Sequence, residues 1–250
     1  MLIAFSRHHD NPSGPFGSDR FRPLTDYFDA AVVMKTIGAH RERMLRDPAP
    51  EVLRGHPLTL RRAIATVPFA RKYSTWVLSF APADIDVADF NRGDVRSRRA
   101  IELSIELVLE MALAGIPRFA RPPLYVTTHT HTGRLEVNVA MPHAVLSPDA
   151  KFRSINPDPP MPGGGPSAAW TAVRDILNIR FGWADPQDPA RQREFRLPDW
   201  LLKRDAEAER AGIAFDLDPR LRLASAVGAA VDAGQVTCRA EVEAFLAERG

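Results

Sequence analysis

The chain has one cysteine, three tyrosines and no apolar run approaching the roughly 18 residues that a membrane span needs. Cys238 alone leaves no intramolecular disulfide, and a reducing cytoplasm is the expected home. The N-terminal MLIAFSRHHD meets charge too early for a secretory signal. Lysine is scarce too: the basic residues are overwhelmingly arginine, whose planar fork matches phosphate. Residues 1–135 carry 19 Lys/Arg against 14 Asp/Glu, leaving 14 against 17 for the remainder, so the net +2 hides a basic N-terminal half. That asymmetry gives mild support to a nucleic-acid partner.

The 250 residues, 45% hydrophobic and 26% charged, suit one globular domain with an appendage. Residues 6–23 read as a loop. The pattern turns helical at TDYFDAAVVM, with Thr25 or Asp26 as N-cap, and 39–57 is charged and turn-rich. LTLRRAIATV (58–67) reads as a helix closed by Pro68, and KYSTWVLSF (72–80) as a strand. Residues 95–115 form the strongest helix, with Ile101, Ile105, Leu109 and Ala112 on one side. A Pro/Gly-rich crossing spans 147–166, a helix 167–182 ends at Gly182, and 183–195 reads as a linker. Helices follow near 199–211, 219–232 and 238–248, the last capped by Thr237; the closing pair has helix-turn-helix spacing. The order predicts an α+β fold: an antiparallel sheet covered by helices on one face, with a helical C-terminal appendage. The expected division is a sheet-bearing domain at 1–188 and a helical segment at 189–250.

Between two helices lies PLYVTTHTHTGRLEVNVAMP (123–142), where polar side chains recur at every second place. With Thr132-Gly133 as a two-residue loop, cross-strand partners sum to 265, so His129 faces Glu136 and Thr127 faces Asn138. Leu124, Val126, Leu135, Val137, Val139 and Met141 then share a core face. Tyr125, Thr127, His129, His131, Glu136 and Asn138 share the other. Opposed Cβ atoms lie about 4.5–5.5 Å apart, so His129, Glu136 and Asn138 can converge on one ion, and their N, O, O donors suit Mg²⁺ or Mn²⁺. Two other readings stand beside this one. A half-solvated strand pair shows the same alternation with no site at all. His129-Thr-His131 followed by four residues and Glu136 is also the spacing of cupin metal sites, which would imply a small-molecule metalloenzyme.

The run His129-Thr-His131-Thr-Gly133-Arg134-Leu135-Glu136-Val137-Asn138-Val139 resembles MobA-type relaxases of mobilisable plasmids, in the colicin-plasmid branch. These are HUH endonucleases in which His, Glu and Asn replace the histidine triad. EVLRGHP (51–57), FARKYSTWVLSFAPADID (69–86), INPDPP (155–160), AWTAVRDILN (169–178) and FGWADPQDPARQR (181–193) agree in order, so the resemblance covers about residues 20–195. It implies site- and strand-specific nicking and rejoining of single-stranded transfer-origin DNA through a 5′-phosphotyrosine. The implied metal ligands are His129, Glu136 and Asn138, holding Mg²⁺ or Mn²⁺. The family's nucleophile stands in a D-Y-hydrophobic stretch, here Asp26-Tyr27-Phe28, with Tyr73 and Tyr125 the competitors. His131, where an acidic residue is usual, is an additional candidate for ligation or proton transfer, as are Asp26 and Arg134. The resemblance also implies an accessory mobilisation protein and a coupling protein as partners, and no membrane. A single-strand groove would use Arg71, Arg134 and Arg180 and bind in a salt-sensitive way. The alternative is a single-stranded-DNA-binding relative that keeps the fold and has lost cleavage; many relatives continue into longer tails than this chain.

Overall fold

The computed structural model describes residues 1–6, 20–37, 40–149, 151–158, 167–188 and 219–248. The chain divides into two compact units, Met1–Pro186 and Gln187–Gly250.

The first unit is built on a five-stranded antiparallel sheet. In chain order its strands are β1 (Leu2–Ser6), β4 (Glu51–Arg54), β5 (Tyr73–Ser79), β6 (Tyr125–His129) and β7 (Glu136–Pro142). They lie side by side as β1-β5-β7-β6-β4, which puts the polar hairpin in the middle of the sheet. Its register is the one expected: His129 opposes Glu136, Thr127 opposes Asn138 and Tyr125 opposes Ala140. The connection is longer than a two-residue loop. The strands stop at His129 and Glu136, and a turn closed by the Gly133 N–H on the Thr130 carbonyl (3.0 Å) spans the gap.

Period-two alternation in β5 sends Trp76 and Leu78 to the face that also carries Val126, Val137, Val139 and Met141. Two helices cover this face. Helix α4 (Val95–Ala112) buries Ile101, Ile105, Val108, Leu109 and Ala112, and α5 (Ala168–Phe181) buries Trp170, Val173 and Leu177. Each such aliphatic side chain contributes about 1.5–3 kcal/mol when fully buried. Helix α5 ends where expected, on Gly182 in the left-handed region (φ 69°).

The opposite face is not left to solvent, contrary to the one-sided sandwich expected. Helix α1 (Arg22–Asp29) lies on β6 and α2 (Pro57–Thr66) on β7. Phe21, Phe28, Leu60 and Ile64 close over Tyr125 and Ala140. The EVLRGHP run delivers α2 to this place. A bulge between Val52 and Arg54 ends β4, and Gly55 (φ 82°) passes so close to β6 that a Cβ there would sit 1.8 Å from the Leu124 carbonyl oxygen. The His56 ring then accepts the Leu58 N–H (3.2 Å) and caps the helix.

Three further differences have local causes. Helix α1 begins at Arg22 after Phe21 rather than at Thr25 or Asp26, and stops at Asp29. The β-branched AVVM segment turns into β2 (Val32–Ile37), which pairs with β3 (His40–Leu45) instead of prolonging the helix. The crossing after the central hairpin contains a small one of its own, β8 (Ala144–Leu146) with β9 (Phe152–Ser154), and α3 (Val87–Asn91) precedes α4. An open sheet with helices on both faces also rules out the cupin barrel.

The second unit contains α6 (Pro219–Asp232) packed on α7 (Arg239–Ala247). Cys238, not Thr237, is the N-cap of α7, although the Thr237 N–H and hydroxyl both donate to Glu241. The connecting residues 233–238 exceed the three- to four-residue turn of a DNA-reading helix pair. The helix expected near 199–211 lies outside the described residues. Among the described residues, no helix is long and apolar enough to cross a membrane.

Candidate active site

Two chain segments about a hundred residues apart meet at one end of the sheet. The central hairpin brings His129 and Glu136 to that end in one row, with Thr127 and Asn138 in the next. His129 is 2% exposed and Asn138 5%. The His129 Nε2 lies 3.0 Å from the Phe28 carbonyl oxygen. A carbonyl only accepts, so Nε2 carries the hydrogen and Nδ1 keeps its lone pair. Burial pushes the His129 pKa down to about 4; the Phe28 carbonyl opposes the shift, and the positive charge of Arg46 adds to it. The imidazole is therefore neutral at physiological pH, in the tautomer that leaves a ring nitrogen free to ligate.

Phe28 is fully packed, and the residue before it is the candidate nucleophile. Tyr27 is 52% exposed, and its ring centre stands 5.5 Å from that of His129, edge to face. Partial burial raises the Tyr27 pKa, and the negative charge of Glu136 raises it further, against Arg46 and Arg134. Left to these groups, the phenol stays protonated.

Arg46, which the sequence did not single out, holds this corner together. It is 5% exposed, just beyond β3. Its Nη1 donates to the Tyr27 carbonyl (2.6 Å) and to the Ala30 carbonyl (3.3 Å), and its guanidinium lies 5.2 Å from the Tyr27 ring centre. A cation at a helix C-terminus meets the favourable end of the dipole. The same nitrogen is 3.5 Å from His129 Nε2. Both atoms are donors once the carbonyl has fixed the tautomer, so that contact is packing.

The other tyrosines are occupied elsewhere. Tyr125 is fully buried and donates to Asp29 (2.6 Å); burial and then the Asp29 carboxylate push its pKa up. Tyr73 packs edge-on to Phe21 with ring centres 6.1 Å apart. The ring of His131 is 5.6 Å from that of His129, so the turn places it beside the site. Arg134 donates from Nε to Glu136 (2.9 Å). Asp26 does not join; it pairs with Arg22 at 3.5 Å on the outer side of α1.

The three arginines expected in a groove lie at separate places on the first unit. Arg71 lies two residues before Tyr73, which starts β5 at the Pro142 end, itself roughly 20 Å from the Glu136 row at about 3.3 Å per residue. Arg180 lies on α5, over the apolar face. Only Arg134 is beside His129 and Glu136.

The residues present fit a hard divalent cation. His129 offers a lone pair, Glu136 a carboxylate and Asn138 a carboxamide. Thr127 Oγ1, in the same row as Asn138, is buried without a hydrogen-bond partner, so the row holds an oxygen acceptor that the protein does not use. Among the described residues, no three His, Cys, Asp or Glu side chains gather to hold a metal; this donor set counts an asparagine.

Over 199 residues, 80% of this chain, the sequence is 28% identical to the DNA relaxase MbeA of Escherichia coli. That is a likeness to a DNA relaxase. The sequence is also 27% identical over 172 residues, 69% of the chain, to cryptic plasmid protein C of Neisseria gonorrhoeae. It spans 33% of the length of the relaxase and 73% of the gonococcal protein. No protein-family model and no solved structure matches it.

Proposed function

We propose that the chain carries the nicking and joining centre of a plasmid-mobilisation relaxase of the His-Glu-Asn branch of the HUH endonucleases. The observation that carries this reading is the meeting of Tyr27 with His129 from distant parts of the chain, at the open end of an otherwise sealed sheet face.

The Tyr27 oxygen attacks the phosphorus of a phosphodiester in single-stranded transfer-origin DNA. A bond forms from phosphorus to that oxygen, the bond to the 3′ oxygen breaks, and the 5′ phosphate stays on the protein. The phenolic proton leaves as the bond forms; in this reading it passes to His131, whose ring lies 5.6 Å from that of His129. The reverse attack by a 3′ hydroxyl restores the strand, and no nucleotide is consumed because the phosphotyrosine keeps the bond energy. His129, Glu136 and Asn138 would hold Mg²⁺ or Mn²⁺. When bound, the cation supplies polarisation of the scissile phosphate and offsets charge on its oxygens. Arg46 anchors the helix end that presents Tyr27. Accessory mobilisation and coupling proteins belong to the same reading as partners.

A second reading, a strand-binding relative without cleavage, draws on the raised Tyr27 pKa. The deciding experiment incubates the protein with Mn²⁺ and single-stranded oligonucleotides tiling the DNA beside its gene. An adduct that survives denaturation, maps to Tyr27 and vanishes in Tyr27→Phe and His129→Ala supports cleavage. Binding without an adduct, from folded and metal-loaded protein, supports the second reading.

A further inference from the structure

The arginines of α4 divide into two kinds. Arg98 is neutralised by Glu51 at 2.6 Å, and on the same side of the protein Arg54 pairs with Glu102 and Arg121 with Glu110. Arg96 and Arg99, two residues before Arg98 and one after it, are exposed, and so is Arg180 on α5. Among the described residues, no carboxylate forms an ion pair with any of the three. These three line a cleft of about 550 Å³ between the two helices, walled by Phe181 and Trp183.

The acid that also borders the cleft is already spent. Asp84 is buried and accepts from the Met1 ammonium (3.1 Å), the Ala81 N–H (3.1 Å) and the Ala184 N–H (2.6 Å). Arg96 and Arg99 also stand in the first two turns of α4, the positive end of its dipole, where cations cost stability. Solvent-facing arginines lining a concave site match a ligand with several negative charges.

The cleft adjoins the end of the sheet that carries the nicking centre. Ser79, the last residue of β5, opposes Glu136, and the Phe80 N–H donates to the Leu135 carbonyl (3.0 Å). The loop to Asp84 starts there and leads to the other face. Resting on the relaxase reading, we infer that this cleft binds a second stretch of the DNA strand through its phosphates, after the strand has rounded the sheet end. The cleft would take consecutive phosphates without reading bases, because nothing in it beyond the guanidinium forks is built for base edges.

The test compares wild type, the triple variant Arg96→Ala/Arg99→Ala/Arg180→Ala and the matching triple Arg→Lys variant, all confirmed folded by circular dichroism. Each is titrated with single-stranded oligonucleotides of increasing length over a range of salt. At about 0.7 counterions released per phosphate neutralised, the alanine variant should lose roughly 2 from the log–log salt slope on long strands. Its affinity at low salt should fall tenfold or more, the loss should grow with strand length, and the lysine variant should recover most of it. An unchanged slope on long strands would overturn the inference, as would an equal loss at every length. Anionic vesicles that compete fully with the long strand would overturn it in favour of a lipid surface. The slopes are read from binding, so they decide the cleft even if wild type forms no covalent adduct and the nicking reading fails.

Discussion

Tyr27 and Tyr125 stand within reach of the same short helix and the same strand, yet their hydroxyls have opposite fates. Tyr125 begins β6 under Phe28, Leu60 and Ile64, its proton committed to Asp29. Tyr27 stands at the far end of β6 with half its surface open, beside a neutral histidine that presents a bare ring nitrogen. One face of one strand pair is therefore a closed core at one end and an open mouth at the other. Where α1 stops decides the boundary. A polar side chain under the helix is a structural part; one just past its end is available for chemistry.

The largest effect that would sharpen this contrast comes from the two tyrosines themselves. Tyr27→Phe should abolish the DNA adduct and leave stability within about 0.5 kcal/mol, as for an exposed site. Tyr125→Phe should keep the adduct and cost about 1–3 kcal/mol in urea unfolding, because Asp29 loses its donor. An adduct retained in the first variant and lost in the second would break the comparison outright. Next is Arg46→Ala, which leaves the Tyr27 and Ala30 carbonyls without their donor. Single-turnover cleavage should slow by about 10²-fold, the size expected when a reacting group drifts by about 1 Å.

A smaller effect separates the two buried histidines. Mn²⁺ at about 100 times its dissociation constant should raise the unfolding free energy by about 2.7 kcal/mol. The gain should disappear in Glu136→Gln and survive in His143→Gln. His143 follows β7 at the closed end, where its Nδ1 lies 2.9 Å from the Ser74 hydroxyl, and burial lowers its pKa to about 4. The smallest effect is its acid titration. The folded pKa lies below the ordinary 6.5, so between pH 6.5 and about 4 the unfolded chain binds more protons and stability falls as pH falls. The slope from this residue reaches at most about 1.4 kcal/mol per pH unit. Metal-free His143→Gln should show a shallower acid limb than wild type; identical limbs would remove His143 from the account.

Much of this arrangement was legible because it depends on period and register. Alternation over 124–141 fixed which residues oppose one another, and the apolar stripe of α4 and the glycine after α5 read directly. The other half of the site was legible only as a residue type. Tyr27 could be singled out by its D-Y-hydrophobic setting, but the contact that gives it meaning crosses about a hundred residues. Arg46 had no local signal, since its partners are backbone carbonyls that every sequence possesses. The end of α1 was misread for a related reason. TDYFDAAVVM carries a helical pattern, and what stops it is the pairing of the AVVM segment with β3, a tertiary preference overriding a local one. Arg180 reads as a partner of Arg134 in one groove, but the sheet puts it on the other face, in the cleft beside α4.

The last turn of α1 spends its carbonyls outside the helix: that of Tyr27 on Arg46 and that of Phe28 on His129. The Tyr27 phenol and the imidazole thus share one mechanical reference frame. A small slide or tilt of this helix carries the phenol and the ring that faces it in the same direction, so their separation varies less than the position of either. Thermal motion at an exposed mouth then blurs where the pair stands more than it spoils the alignment of phenol and ring.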